Sequence, residues 1–70
     1  MTPTQLREAR RELGLSVRQL AAMLSVDPDL VRRMEIQIGD EGHRPIRGSI
    51  QRLVRAYLDG YRPSDWPLSE

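Results

Sequence analysis

Residues 16–35 read SVRQLAAMLSVDPDLVRRME and contain two helix start signals eleven residues apart. Ser16 and Gln19 have the spacing of a capping box, in which the side chain of each residue accepts a hydrogen bond from the backbone N–H of the other. Asp27 is a second N-cap candidate, because Pro28 follows it at the first helical position, where a missing N–H costs nothing. Only about two turns of helix fit between the two starts. The stretch therefore predicts two short helices separated by a tight turn, which is a helix-turn-helix.

The apolar and charged residues of this stretch fall on opposite faces. Residues that can close on one another to form a core are Leu20, Ala21, Leu24, Val26, Val31 and Met34. The other face of the second helix is free to meet a partner, and it carries Pro28, Asp29, Arg32 and Arg33. An ordinary solvated helix face is the alternative interpretation of the two adjacent arginines.

A helix before this stretch and a long loop after it are also predicted. Thr2 and Gln5 repeat the capping-box spacing near the start of the chain, and Gly14 ends that helix with a left-handed cap. Residues 36–48 contain three glycines and a proline and have no helical period, which predicts a loop. Loops of about 12 residues are uncommon in compact domains unless they carry function. Ile36 and Ile38 could instead form a short extended edge.

The last helix is predicted from Ser49, as its cap, to Asp59, with Gly60 stopping it and a non-helical tail following. We therefore expect an all-α fold, a small helix-turn-helix bundle of about four helices with a long loop before the last helix. Residues 1–60 would form the helix-turn-helix domain and residues 61–70 the C-terminal tail.

The composition limits the possible functions. Seventy residues make one domain, close to the lower limit at which a single core suffices, so a dimer contact or a bound partner would add stability. There is no cysteine, no apolar run long enough to cross a bilayer and no signal-peptide pattern, so we expect a cytoplasmic protein without a thiolate metal site. The net charge is only +1, which is a weak electrostatic footprint for nucleic acid, although all eleven basic residues are arginine.

Catalysis has little support in the sequence. His43 is the only histidine, no second one offers a metal-binding set, and no nucleophile is placed beside it. We expect no enzyme activity and no cofactor.

The segment resembles the DNA-binding motif of the lambda-Cro and C1-type (XRE-like) repressor family. The positions that carry the resemblance are Leu20, Ala21, Val26, Val31, Met34 and Glu35. In that family an arginine of the preceding helix often pairs with the closing glutamate, and the resemblance implies such a structural ion pair between Arg10 and Glu35. Ser25 stands where the family usually has glycine, and Val17 stands where it usually has a polar residue.

More narrowly, residues 14–58 are similar to the anti-CRISPR-associated autoregulators of phages and mobile elements. The shared residues are Ser16, Arg18, Ala22, Leu24, Arg32, Glu41, Gly42, Arg44 and Pro45. This resemblance implies a homodimeric repressor that binds inverted repeats in the promoter of its own operon.

The motif assigns residues to two kinds of DNA contact. The second helix would enter the major groove, where Arg32 or Arg33 can bond to guanine O6 and N7, with Pro28 and Asp29 also at base-reading positions. Phosphate contacts are expected from the start of the preceding helix and from the loop, at Ser16, Val17, Arg18, Gln19, His43, Arg44 and Arg47. For Arg44 a salt bridge with Asp40 or Glu41 is an equal alternative.

Tight binding would require two helix-turn-helix domains on a palindromic operator, with half-sites about 34–36 Å apart. Candidate dimer residues are Leu58, Tyr61 and Trp66. For Trp66 the favoured alternative is that it folds back over its own core. The competing function from another class is a protein-interaction module, such as an antitoxin or adaptor, that does not read DNA.

Overall fold

The computed structural model describes residues 1–64 and 66 and contains four helices. They are α1, Pro3–Glu12; α2, Val17–Leu24; α3, Pro28–Met34; and α4, Gly48–Leu58. No strand occurs among the described residues, so the all-α prediction is confirmed and the extended edge at Ile36 and Ile38 is not formed. Ile38 instead lies in a turn with 73% of its surface exposed.

Three of the four helices begin where side-chain caps predict. Capping boxes form at Thr2 with Gln5 and at Ser16 with Gln19, and the Asp27 carboxylate accepts from the backbone N–H of Asp29 at 2.8 Å. These bonds satisfy N–H groups that a helix start leaves without an intrahelical acceptor.

The predicted cap of the last helix is wrong. Ser49 lies inside α4, and the N-cap position belongs to Arg47, which makes no side-chain capping bond. The carbonyl of Arg47 already accepts from the N–H of Gln51 at 3.0 Å, so the first helical turn closes there. The Gln51 side chain also donates to the carbonyl of Ile46 at 2.9 Å, which fixes the helix start against the end of the loop.

The turn between α2 and α3 is a Schellman motif. Ser25 has φ 58° and ψ 42°, its N–H donates to Ala22, and the N–H of Val26 donates to Ala21 at 3.0 Å. Gly14 ends the first helical segment in the same left-handed conformation, with φ 71°, as predicted. Both turns reverse the chain within a few residues, which lets helices of two to three turns pack on one another.

The core lies where all four helices meet. Its largest fully buried side chains are Leu6, Leu20, Val31, Met34 and Val54. Helix α2 packs on α3, and α1 packs on α4. Val26, predicted to be in the core, is only partly buried at its edge. Burial in this small core holds helices that would be too short to form alone.

The C-terminal segment folds back onto α4. The Trp66 ring lies 4.9 Å from the ring of Tyr57, and the Arg62 guanidinium lies over Trp66 at 4.5 Å from the ring centroid. Residues 61–64 and 66 are non-helical, as expected, and positions 65 and 67–70 of the predicted tail lie outside the described residues. No helix within residues 1–64 and 66 is long and apolar enough to span a membrane.

Candidate nucleic-acid interface

The outer face of α3 is polar and accessible. Val31 and Met34 anchor this seven-residue helix in the core, and Arg32 and Asp29 on the other side are exposed. Within the described part of the chain, Arg32 makes no side-chain hydrogen bond or ion pair, so its guanidinium donors are available to a ligand. Pro28 at the helix start is partly buried.

The Arg33 guanidinium, unlike that of Arg32, is bonded to a neighbouring side chain. Its Nε donates to Oδ2 of Asp29, one turn earlier, at 2.7 Å. This hydrogen bond and the positive charge of Arg33 hold the pKa of the Asp29 carboxyl below its ordinary value of 3.8, and the same contact raises the pKa of the guanidinium. The repulsion of phosphates that a free carboxylate would cause is thereby reduced.

The start of α2 offers backbone donors. Ser16 Oγ accepts from the N–H of Gln19 at 3.1 Å, and Gln19 Oε1 accepts from the N–H of Ser16 at 2.9 Å. The first two helical N–H groups, those of Val17 and Arg18, have no acceptor within the helix. The Val17 side chain packs against the core, so this residue offers only its backbone, whereas the Arg18 side chain is exposed.

The long loop is fastened to the end of α3. The N–H of Arg44 donates to the carbonyl of Arg33 at 3.2 Å, and Nδ1 of His43 lies 2.8 Å from the carbonyl oxygen of Ile36. Because a carbonyl only accepts, this contact requires the proton on Nδ1. These bonds bring His43 and Arg44 beside the α3 residues.

Arg44 and Arg47 are both exposed. The Arg44 guanidinium donates to the carbonyl of His43 at 3.1 Å, and among the described residues it forms no ion pair with Asp40 or Glu41. The loop-pinning salt bridge considered for Arg44 is therefore not formed. Arg47 lies further along the chain, at the start of α4.

An ion pair connects α1 to the end of α3. Arg10 donates to the Glu35 carboxylate through Nε at 2.8 Å and through Nη2 at 3.1 Å, and Nη1 donates to the carbonyl of Leu15. Glu35 is only 6% exposed. Arg7, which was not predicted as a partner of Glu35, has its Nε 3.5 Å from the same carboxylate. Its position one turn before Arg10 on the same helix was the available signal.

The three candidate dimer residues lie on and after α4. Leu58 is 39% exposed and lines an open cleft of about 300 Å³ between α1 and α4, together with Glu8, Glu12 and Arg55. Tyr61 is 54% exposed, and its ring stacks on Tyr57 at 5.9 Å.

Within the described part of the chain, no group of three or more histidine, aspartate or glutamate side chains is arranged to hold a metal ion. Asp29 is paired with Arg33 instead, and Nδ1 of His43 contacts the carbonyl oxygen of Ile36.

Comparison with known proteins identifies the family. Neither curated proteins nor solved structures give a match. A family model described as a helix-turn-helix domain matches residues 5–61, which include all four helices. Domains of this kind are typically non-enzymatic and bind DNA. The chain therefore belongs to the helix-turn-helix domain family, and this membership indicates a DNA-binding regulator.

Proposed function

We propose that this protein is a sequence-specific transcriptional repressor that binds as a homodimer to an inverted repeat in the promoter of its own operon. The observation that carries the proposal is the outer face of α3. It presents Arg32 and Arg33 on a helix that is seated against α2 in a helix-turn-helix. In this motif the second helix enters the major groove, and an arginine can bond bidentately to guanine O6 and N7.

The phosphate contacts proposed for the two flanking segments are consistent with this docking. The free N–H groups of Val17 and Arg18 would bind a backbone phosphate, helped by the positive end of the α2 dipole and by the Ser16 and Gln19 side chains. Arg44, His43 and Arg47 would contact the flanking backbone. Such contacts set the position of the protein on the duplex, whereas base contacts set the sequence.

A dimer is proposed because a single helix-turn-helix domain would make few contacts with DNA. The net charge is only +1, so a single domain has little non-specific attraction for DNA. Two domains related by a twofold axis would bind half-sites about 34–36 Å apart. We assign Leu58 and Tyr61 to the dimer contact. Trp66 would contribute to the dimer contact indirectly, because it packs on Tyr57, whose ring stacks on that of Tyr61. Residues 1–60 would be the DNA-binding domain, and the tail would extend the dimer surface.

The narrower role rests on the resemblance of residues 14–58 to the anti-CRISPR-associated autoregulators. A repressor of this type would occupy its own promoter and limit transcription of the neighbouring gene. The alternative, a protein-interaction module, is favoured by one observation, the cleft beside the exposed Leu58.

The test is a fluorescence anisotropy titration against the DNA upstream of the gene and against random duplex, at several salt concentrations. We expect specific binding that weakens steeply with salt, because each neutralised phosphate releases counterions. Arg32→Ala and Arg33→Ala should remove specific binding, and Arg52→Ala on α4 is the control for loss of one exposed charge. Equal affinity for both DNAs would contradict the proposal, and capture of a protein partner through the cleft would then favour the alternative.

The dimer has its own test. Leu58→Glu should shift the protein to monomer in sedimentation velocity and weaken operator binding, with the helical content unchanged. A wild-type protein that is monomeric on the operator would contradict the dimer proposal.

A further inference from the structure

An ion pair joins Asp29 and Arg33 of α3. Both residues lie on the outer face of α3, four positions apart, with Oδ2 and Nε separated by 2.7 Å. The Asp29 side chain is 61% exposed and that of Arg33 is 41% exposed. An exposed pair of this kind contributes little to folding stability. Its effect on the position of the guanidinium is therefore the more informative consequence.

Arg33 is constrained at more than one point. Its carbonyl accepts from the N–H of Arg44 in the loop at 3.2 Å, and its guanidinium is bonded to Asp29. Nη1 of Arg33 also lies beside Gly42 of the loop, where an added Cβ atom would stand at an ordinary contact distance of 3.6 Å. Gly42 has φ 88°, a conformation that other residues rarely adopt.

The ion pair with Asp29 determines which N–H groups of the Arg33 guanidinium are left to bind DNA. With Nε occupied by Asp29, the unused edge of the guanidinium consists of the Nη1 and Nη2 groups. Two parallel N–H groups match the O6 and N7 acceptors of guanine. A side chain that is held before binding loses less conformational freedom on forming this contact. The carboxylate also offsets the charge of Arg33, which lowers its attraction for phosphates of any sequence.

We propose that Asp29 is a positioning residue that fixes Arg33 for bidentate contact with guanine and thereby raises the preference for operator over random DNA. The inference rests on the proposed function, since it takes α3 as the reading helix. It replaces the expectation that Asp29 itself contacts a base.

The experiment compares Asp29→Asn with Asp27→Asn. Each change removes one negative charge from the start of α3, and asparagine caps a helix about as well as aspartate. Of these two aspartates, Asp29 is the one whose carboxylate is bonded to Arg33 among the described residues, whereas the Asp27 carboxylate accepts from the N–H of Asp29. Wild-type and variant proteins are used to select sites from a pool of randomised duplex DNA. The guanine read by Arg33 is then the position at which Arg33→Ala loses its base preference.

We expect Asp29→Asn to reduce the preference for that guanine by about fivefold or more, the lower range for one bidentate contact. Binding to random DNA should become tighter in both variants, because each loses a negative charge. Asp27→Asn should keep the base preference. In an Arg33→Ala background, Asp29→Asn should produce no further loss of preference, as expected for a residue that acts through Arg33.

The outcomes separate the inference from the proposed function. If wild-type protein selects a site and Asp29→Asn keeps the full preference for guanine, the inference is overturned and the proposed function stands. Equal losses in the two asparagine variants would also overturn the inference, because charge alone would then explain the result. If wild-type protein selects no site, both are overturned. A readout without DNA is the Arg33 Nε–H signal in NMR, which should exchange with water faster in Asp29→Asn but not in Asp27→Asn.

Discussion

Arg10→Ala should strongly destabilise the protein, because Arg10 neutralises a buried carboxylate. Glu35 is 6% exposed, and Arg10 supplies two of its hydrogen bonds, at 2.8 and 3.1 Å. Removing one partner of a buried ion pair costs about 3–5 kcal/mol. Arg7 would remain, with its Nε 3.5 Å from the carboxylate and its side chain 46% exposed, and would compensate in part. We therefore expect a loss near the lower end, about 3 kcal/mol.

This loss is large for a domain of 70 residues. Its whole free energy of unfolding is expected to be about 3.5–10.5 kcal/mol, at roughly 0.05–0.15 kcal/mol per residue. Urea unfolding followed by circular dichroism measures the change. Arg11→Ala is the matched control, since Arg11 is the exposed neighbour on the same helix and surface changes stay within about 0.5 kcal/mol.

A double variant separates loss of the pair from loss of packing. Arg10→Met with Glu35→Met removes both charges and should recover much of the stability, because a buried ion pair and an apolar pair of similar volume are often equivalent. If Arg10→Ala were no more destabilising than Arg11→Ala, Arg10 would not be needed to neutralise the Glu35 carboxylate, which contradicts the prediction.

Ser25→Gly should raise the free energy of unfolding by up to about 1 kcal/mol, because Ser25 has φ 58° and glycine adopts this conformation without steric cost. The melting temperature should rise with it, and a lower melting temperature would contradict the prediction. In an NMR titration the pKa of the Asp29 carboxyl should lie below 3.8, and in Arg33→Ala it should return toward that value. The small contribution of the pair to stability is therefore present above the ordinary pKa and is lost as the pH falls through the lowered pKa. Equal midpoints would refute it. Arg62→Ala should expose Trp66 and shift its fluorescence to longer wavelength, whereas an unchanged spectrum would exclude the contact.

Helix starts in this chain could be predicted from sequence because their signals are local. Thr2, Ser16 and Asp27 each cap a helix with a group two or three residues away. The start of α4 could not be predicted in this way. Ser49 is a good N-cap residue, but the helix begins earlier, since the loop before it is fixed by the contact between Gln51 and Ile46.

Contacts between distant segments were harder to predict from the sequence. The pairing of Arg10 with Glu35, 25 positions apart, was expected only through the family resemblance. Nothing in the local sequence indicates that the N–H of Arg44 meets the carbonyl of Arg33, which depends on the path of the loop. The i, i+4 spacing of Asp29 and Arg33 permitted an ion pair, but the choice of Nε as donor required the folded geometry.

Whether α3 reads DNA is best tested by an NMR titration of ¹⁵N-labelled protein with the duplex upstream of the gene. We expect chemical-shift changes concentrated at residues 16–19, 28–33 and 43–47, with contacts between Arg33 and guanine in the bound state. Changes confined to the cleft around Glu8, Arg55 and Leu58, or the same weak changes with random DNA, would contradict this prediction.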